Sequence, residues 1–235
     1  EDEGDASELP RDSKPYAIIV LRDLLRPEAA ETLTRFRQMG VDVRVISGDD
    51  PETVSTLARQ AGLDTAGGVV SGPELEAMDE PHFEAAVEST TVFGRITPEL
   101  KERLVGTMRD QGRYVAMTGD GVNDAPAIGA ADIGIAMGIT GTDVAKGAAK
   151  MILADDNFAT IVAAVEEGRV IYDNLRRFVS FAVAGNLGKI IVMLIWPIPF
   201  LISGDSGVSS VIAFLPLQLL WLNLMTDGLL GLSMG

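Results

Sequence analysis

Charge and apolar residues occupy different parts of this chain, and that segregation constrains its fold more than any other feature. Residues 179–235 carry only Lys189, Asp205 and Asp227 as charges. Two apolar segments lie there, 178–203 and 209–235, and each reaches the roughly 20 residues a helix needs to cross the bilayer core. Only a short turn at 204–208, with Gly204, Asp205 and Gly207, separates them, so the pattern predicts an α-helical transmembrane hairpin. Arg169, Arg176 and Arg177 precede the first span while the turn carries only Asp205, which puts residues 1–177 on the cytoplasmic side. The alternative, a core hairpin of a soluble protein, is disfavoured by the lengths.

Acidic residues crowd the first two thirds, which reconciles a net charge of -15 with a chain that is 47% hydrophobic. That balance argues against a nucleic-acid partner, because phosphate binding needs clustered Lys and Arg. With no cysteine, neither disulfides nor a thiolate metal site can form. The single histidine, His82, sits in the acidic stretch DEPHFEAAVE and reads as a loop or helix-start residue. Residues 1–14 have no apolar core and read as an acidic linker rather than a signal peptide. A chain opening in a linker and stopping after an apolar run is expected to be a fragment.

Between residues 15 and 165, short apolar runs alternate with amphipathic stretches. YAIIVL, VDVRVISG, GVVSG, TVFGRI, YVAMTGDG, IGIAMG and MILA are strand candidates. PEAAETLTRFRQMG, DPETVSTLARQAGL and TPELKERLVGTMRDQG each place Pro just inside a helix start and Gly near its end. Strands alternating with helices predict an α/β domain, a doubly wound parallel sheet covered on both faces. Ligands in such folds bind beyond the C-terminal ends of the strands, so functional residues should follow the strands. The stretch 166–177 continues with helical periodicity into the first span, as a stalk helix would.

MTGDGVNDAPAIGAADIGIAMG, residues 117–138, carries the strongest chemical signal. A strand ends in Gly-Asp-Gly, and Asn123 and Asp124 follow before a helix. Glycines admit a phosphate close to the backbone, and the oxygens of Asp120, Asn123 and Asp124 suit a hard cation such as Mg²⁺. This stretch resembles the hinge motif of P-type cation-transporting ATPases. Ser47-Gly48-Asp49 resembles that family's Thr-Gly-Asp with the hydroxyl retained, Lys101 in FGRITPELKERLV matches its phosphoryl-contacting lysine, and LRDLLRPEAAETLTRFRQMGV resembles the segment leading into the Thr-Gly-Asp.

The resemblance implies a haloacid-dehalogenase-like, Rossmann-like phosphotransfer domain, here its C-terminal part over residues 15–165. It implies catalytic roles for Ser47, Gly48, Asp49, Lys101, Asn123 and Asp124, with Mg²⁺ on Asp120 and Asp124. Phosphoryl transfer depends on positioning and charge neutralisation, which these residue types supply. ATP is the implied substrate, bound mainly by a nucleotide-binding domain outside the chain. The family's nucleophile, in Asp-Lys-Thr-Gly-Thr, has no counterpart in this sequence. The fragment alone is therefore expected to form no phosphoenzyme, and its partners would be the lipid bilayer, the transported cation and the rest of the ATPase.

PLQLLWLNLMTDGLLGLSMG resembles the sixth membrane helix of the calcium and sodium–potassium branch. Asn223, Thr226 and Asp227 share one α-helical face, and a carboxylate at such depth normally marks an ion path. Asn186 aligns with a ligand asparagine of the fifth helix of calcium pumps. Lys189, three residues on, stands where those pumps carry glutamate, so it is a candidate built-in counter-ion, paired with Asp227, and one ion site is expected instead of two. The reading is an ATP-driven pump, most readily for Ca²⁺, with Na⁺, K⁺, H⁺ or another divalent ion as alternatives. The Ala-, Gly- and Val-rich composition without cysteine points to a bacterial plasma membrane. A membrane-tethered phosphatase would share the soluble chemistry, but an anchor has no use for the Asn223–Thr226–Asp227 face. A catalytically dead scaffold is the remaining alternative, against which Asp120, Asp124 and Lys101 argue.

Overall fold

The computed structural model describes residues 27–203, 213–229 and 231. The expected linker at 1–14, the strand candidate YAIIVL and the turn at 204–208 lie outside those residues, as does the side chain of Asp227. The chain divides into two compact units, Glu1–Ile96 and Thr97–Gly235.

In the first unit, helices α1 (Ala29–Gln38), α2 (Pro51–Gln60), α3 (Gly72–Glu76) and α4 (Glu80–Ser89) accompany strands β1 (Val45–Ile46), β2 (Val69–Ser71) and β3 (Val92–Gly94). The strands form one parallel ladder in the order β1-β3-β2. Because β3 is central, its side chains are covered on both faces, and Val92 and Phe93 are fully buried. Val54 and Ala58 of α2 pack on Val92, with Val45 and Leu63 at the margin. Phe83 and Val87 of α4 are also fully buried. Gly94 marks a close approach: a Cβ there would lie 2.6 Å from the Pro51 Cα, so the end of β3 touches the start of α2.

In the second unit, β4 (Ala116–Gly119), β5 (Ile133–Met137) and β6 (Met151–Leu153) form a second parallel ladder with β5 central. Around it lie α5 (Pro98–Asp110), a 3₁₀ turn at Val122–Asp124, α6 (Ala125–Ala130) and α7 (Asp143–Ala148). Val105 of α5 packs with Ala127 and Ala131, and Ile128 with Ala136 and Ala145. The expected parallel, helix-covered architecture is thus present, with the described strands shared between two ladders.

The helix punctuation read from the sequence has a structural cause. α1, α2 and α5 each run one residue past their last helical turn into a glycine with positive φ: Gly40 at 69°, Gly62 at 86° and Gly112 at 80°. At each, the next amide reaches back to the third-last helical carbonyl: Val41 to Phe36, Leu63 to Ala58 and Arg113 to Met108. This left-handed cap satisfies carbonyls that a helix end otherwise leaves open.

α8 (Phe158–Ile195) is a single helix of 38 residues. By length and composition it can cross a membrane, with a mean hydropathy of 2.0 in its most apolar window. It absorbs the stalk and most of the expected first span. The turn at Trp196 and Pro197 then interrupts the span before α9 (Ile198–Ser203), because proline removes a ladder donor and crowds the preceding turn. Of the second span, the described residues show α10 (Pro216–Asn223) followed by a π-helical turn at Leu224–Gly228.

Candidate phosphoryl site and a polar cluster between apolar helices

Each unit holds its own part of the expected site. In the first, Ser47, Gly48 and Asp49 directly follow β1. The Ser47 Oγ donates to Asp49 Oδ2 at 3.2 Å and accepts from the Asp49 amide at 3.1 Å, folding the loop on itself. Two successive amides behind β3 hold the loop: Arg95 N–H donates to the Asp49 carbonyl at 2.8 Å and Ile96 N–H to the Ser47 carbonyl at 3.0 Å. Arg95 adopts φ 53° to do so, and its guanidinium bonds Asp50, the N-cap of α2, at 2.7 Å. The sequence reading passed over Arg95.

In the second unit, β4 ends at Gly119, and the chain turns through Asp120 and Gly121 into the 3₁₀ turn. Lys101, in the first turn of α5, places its Nζ 2.7 Å from Asp124 Oδ1. The two side chains keep only 13% and 14% of their exposure, so this pair is largely removed from water. Asp124 Oδ2 accepts the Gly121 amide at 3.2 Å. Gly119 makes room for the arrangement, since a Cβ on it would sit 2.6 Å from the Asp124 Cβ. Two residues before Asp120, the buried Thr118 hydroxyl has no hydrogen-bond partner among the described residues. Asp120 and Asn123 are exposed.

Among the described residues, no cluster of three or more His, Asp or Glu is gathered as a metal cage. The donors still fit Mg²⁺, which uses one or two carboxylates and keeps several waters. Asp124 is already neutralised by Lys101, so the exposed Asp120 carboxylate is the natural first donor, with Asn123 beside it.

A further carboxylate, missed from the sequence, is Asp156. It is buried at 5% exposure and has φ 50°. Its oxygens accept the Ile139 amide at 2.9 Å, the Thr140 amide at 2.8 Å and the Thr140 hydroxyl at 2.7 Å. The Ile139 amide contributes most to holding its pKa down, at about 2. The only sequence signal was the run Asp155-Asp156-Asn157 ahead of α8, an N-cap signature. Because the folded pKa lies below the ordinary value near 3.8, the unfolded chain takes up the proton first as pH falls. Stability from this group is therefore complete above pH 3.8 and lost on the way down to about 2. In Asp156→Asn the acid-unfolding curve, followed by circular dichroism, should be flatter across that window and the protein less stable at neutral pH.

His82 is exposed at the start of α4, where Asp79 accepts its backbone amide at 3.1 Å and contacts its ring Nδ1, so it is a helix-start residue as read.

The polar residues of the apolar segments also meet. Lys189 Nζ donates to Asn223 Oδ1 at 2.6 Å and to Asn186 Oδ1 at 3.3 Å, joining α8 to α10. The Thr226 hydroxyl donates to the Leu222 carbonyl at 2.6 Å. Thr226 and Asp227 lie in the π-helical turn Leu224–Gly228, a wider winding than the regular α-helix expected from the sequence.

Residues 1–132 match the haloacid dehalogenase-like hydrolase family, more than half of the chain. The chain belongs to that family. Among its relatives within the family, a calcium-transporting ATPase of Bacillus subtilis strain 168 is 42% identical over 89% of this chain and 23% of its own length. The endoplasmic reticulum calcium ATPase srcA of Aspergillus fumigatus is 41% identical over 95% of the chain and 22% of its own length. A probable cation-transporting ATPase F of Mycobacterium tuberculosis is 40% identical over 99% and 25%. A zinc-transporting PIB-type ATPase, solved in an E2.Pi state, superposes with TM-score 0.61 at 27% identity, over 91% of this chain and 27% of that one. The chain thus spans about a quarter of the length of the curated relatives it matches, and the resemblance to P-type cation-transporting ATPases is borne out.

Proposed function

We propose that this haloacid dehalogenase-like chain is the C-terminal part of the phosphorylation domain, with the fifth and sixth membrane helices, of an ATP-driven pump cycling through an aspartyl phosphate, with Ca²⁺ as cargo. The observation that carries the reading is that one unit contains both the Lys101–Asp124 loop and, through the unbroken α8, the Lys189–Asn186–Asn223 cluster. A phosphatase needs the first alone. The names of the relatives support calcium over other cations.

In this reading residues 15–165 are the phosphorylation domain, 166–177 the stalk, and 178–203 and 209–235 the spans. Residues 1–177 face the cytoplasm of a bacterium, with the actuator and nucleotide-binding domains and the other membrane helices as intramolecular partners. Asp120, with Asn123 beside it, would hold Mg²⁺, which would supply charge neutralisation at a bound phosphoryl group. Lys101 presents its ammonium to the phosphoryl group; Ser47 and Gly48, in the first unit, carry the hydroxyl and amide donors that the family resemblance assigns to phosphoryl binding. Asp124 holds Lys101 in place.

In the membrane, Lys189 engages the side-chain oxygens of Asn186 and Asn223 that would otherwise face a cation. Like charges repel strongly away from water, so a cation and the ammonium do not share the Asn223 oxygen; a single ion position remains around Thr226 and Asp227, taking in Asn223 when Lys189 leaves it. Two measurements test this in the full-length ATPase. Phosphoenzyme formation from ATP, with Mg²⁺ fixed, should be stimulated by micromolar Ca²⁺ and reversed by chelation. Labelling responsive only to Na⁺, K⁺ or pH reassigns the cargo, and hydrolysis indifferent to every cation leaves the tethered phosphatase. Lys189→Glu should raise the number of radiolabelled calcium ions bound per protein, and an unchanged number would place Lys189 outside the ion path.

A further inference from the structure

Asp156 has no part in the phosphoryl chemistry above, yet it is the most completely bonded carboxylate described in the second unit. Its position explains where that bonding acts. It sits two residues before α8, in a cap assembly where Asp155 Oδ2 accepts the Thr160 hydroxyl at 2.6 Å and Asn157 Oδ1 accepts the Ala159 amide at 2.9 Å. From there its carboxylate reaches across to the loop 138–142 behind β5, gripping it at Ile139 and Thr140. The far end of that loop is tied to the candidate phosphoryl site, because the Thr142 amide donates to the Asp120 carbonyl at 2.9 Å. The loop has no slack: Gly138 donates to the Leu153 carbonyl at 2.8 Å, and a Cβ on Gly138 would lie 2.5 Å from the same oxygen. The 138–142 loop is therefore held at both ends: the Asp120 carbonyl accepts from Thr142 at one end, and Asp156, two residues before α8, grips Ile139 and Thr140 at the other.

We propose that Asp156 is a positioning residue that locks the start of α8 to the Asp120 loop, so that rearrangement at the phosphoryl site is transmitted to the intramembrane cluster. The inference rests on the pump reading and adds a residue that transmits without touching the phosphoryl group. Aspartate suits the place because it is among the few residues that tolerate positive φ, and because its carboxylate accepts three donors at once. Asparagine keeps the backbone preference but turns one acceptor into an NH₂ group facing amide donors. It removes the grip without removing the fold's special backbone.

The test uses the full-length ATPase reconstituted in vesicles, measuring cation uptake and ATP hydrolysis on the same preparation. Asp156→Asn should lower uptake per ATP hydrolysed by about fivefold or more while phosphoenzyme still forms from ATP. Thr140→Val, which deletes one of the three bonds, should shift the ratio in the same direction by less, and decides the matter if Asp156→Asn fails to fold. A variant that is merely destabilised loses uptake and hydrolysis in proportion, and proportional loss in the folded variants, or a wild-type ratio in them, overturns the proposal. Wild-type protein that forms no phosphoenzyme sinks the pump reading itself, an outcome seen before any variant is made.

Discussion

Lys101→Met in the full-length ATPase is expected to slow phosphoenzyme formation by about 100-fold or more, the usual scale for deleting one preorganised charge at a reacting group. The variant is also expected to be destabilised by roughly 3 kcal/mol, because Asp124 is left with its charge uncompensated and mostly out of water. The pairing distance of 2.7 Å and the 13% and 14% residual exposure set that expectation. Adding Asp124→Asn to Lys101→Met should recover much of the lost stability, since the orphaned charge is then gone, without recovering activity. Thermal unfolding and acid-quenched phosphoenzyme assays on the two single variants and the double separate these effects. Additive stability losses would mean that the pair is not coupled, and undiminished labelling in Lys101→Met would remove Lys101 from the site.

Gly119→Ala should be nearly as severe for one added methyl group. The new Cβ meets the Asp124 Cβ at 2.6 Å, an atom fixed to the backbone that no rotamer change can withdraw. Relief requires the 3₁₀ turn to move, which carries Asp124 off Lys101 and Asp120 off its place behind β4. A misplacement of about 1 Å in such a constellation costs on the order of 100-fold in rate, so phosphoenzyme formation should collapse. Gly106→Ala, where nothing lies within 4 Å of the added Cβ, is the matched control and should stay near wild type. Equal activity in the two variants would show that the Gly119 contact is not needed.

Much of this arrangement was legible because local chemistry wrote it. Gly past the end marked α1, α2 and α5 and Pro inside the start marked α2 and α5, whereas Pro27 falls in the turn two residues ahead of α1; the structure puts those glycines in the left-handed region that glycine enters without strain. The helix α3 was passed over although SGPE announced it: Ser71 and Glu74 form a reciprocal capping box. α4 was likewise signalled by Asp79 ahead of Pro81. The strands came out shorter than their apolar runs, and nothing in periodicity could assign them to two ladders, because pairing depends on contacts distant in sequence. The candidate residues were legible singly, but Lys101 and Asp124 are 23 positions apart and Lys189 and Asn223 are 34 apart, so their pairing was not. Lys189 was expected against Asp227, whose side chain lies outside the described residues; among the described contacts Lys189 reaches the two asparagines, which the sequence did not announce. Asp156 reads as one more capping aspartate, and only its unusual backbone turn aims it at residues 139 and 140.

The unbroken α8 has a consequence of scale. With a rise of about 1.5 Å per residue, Lys189 stands roughly 45 Å along the helix from Phe158. A tilt of only about 5° pivoting at Phe158 would sweep Lys189 sideways by about 4 Å, so the long rod acts as a lever arm. A hydrogen bond of 2.6 Å to Asn223 does not survive such a sweep. Small angular changes in the soluble part are thereby amplified into the making or breaking of one contact deep among apolar residues, with no hinge needed along the way.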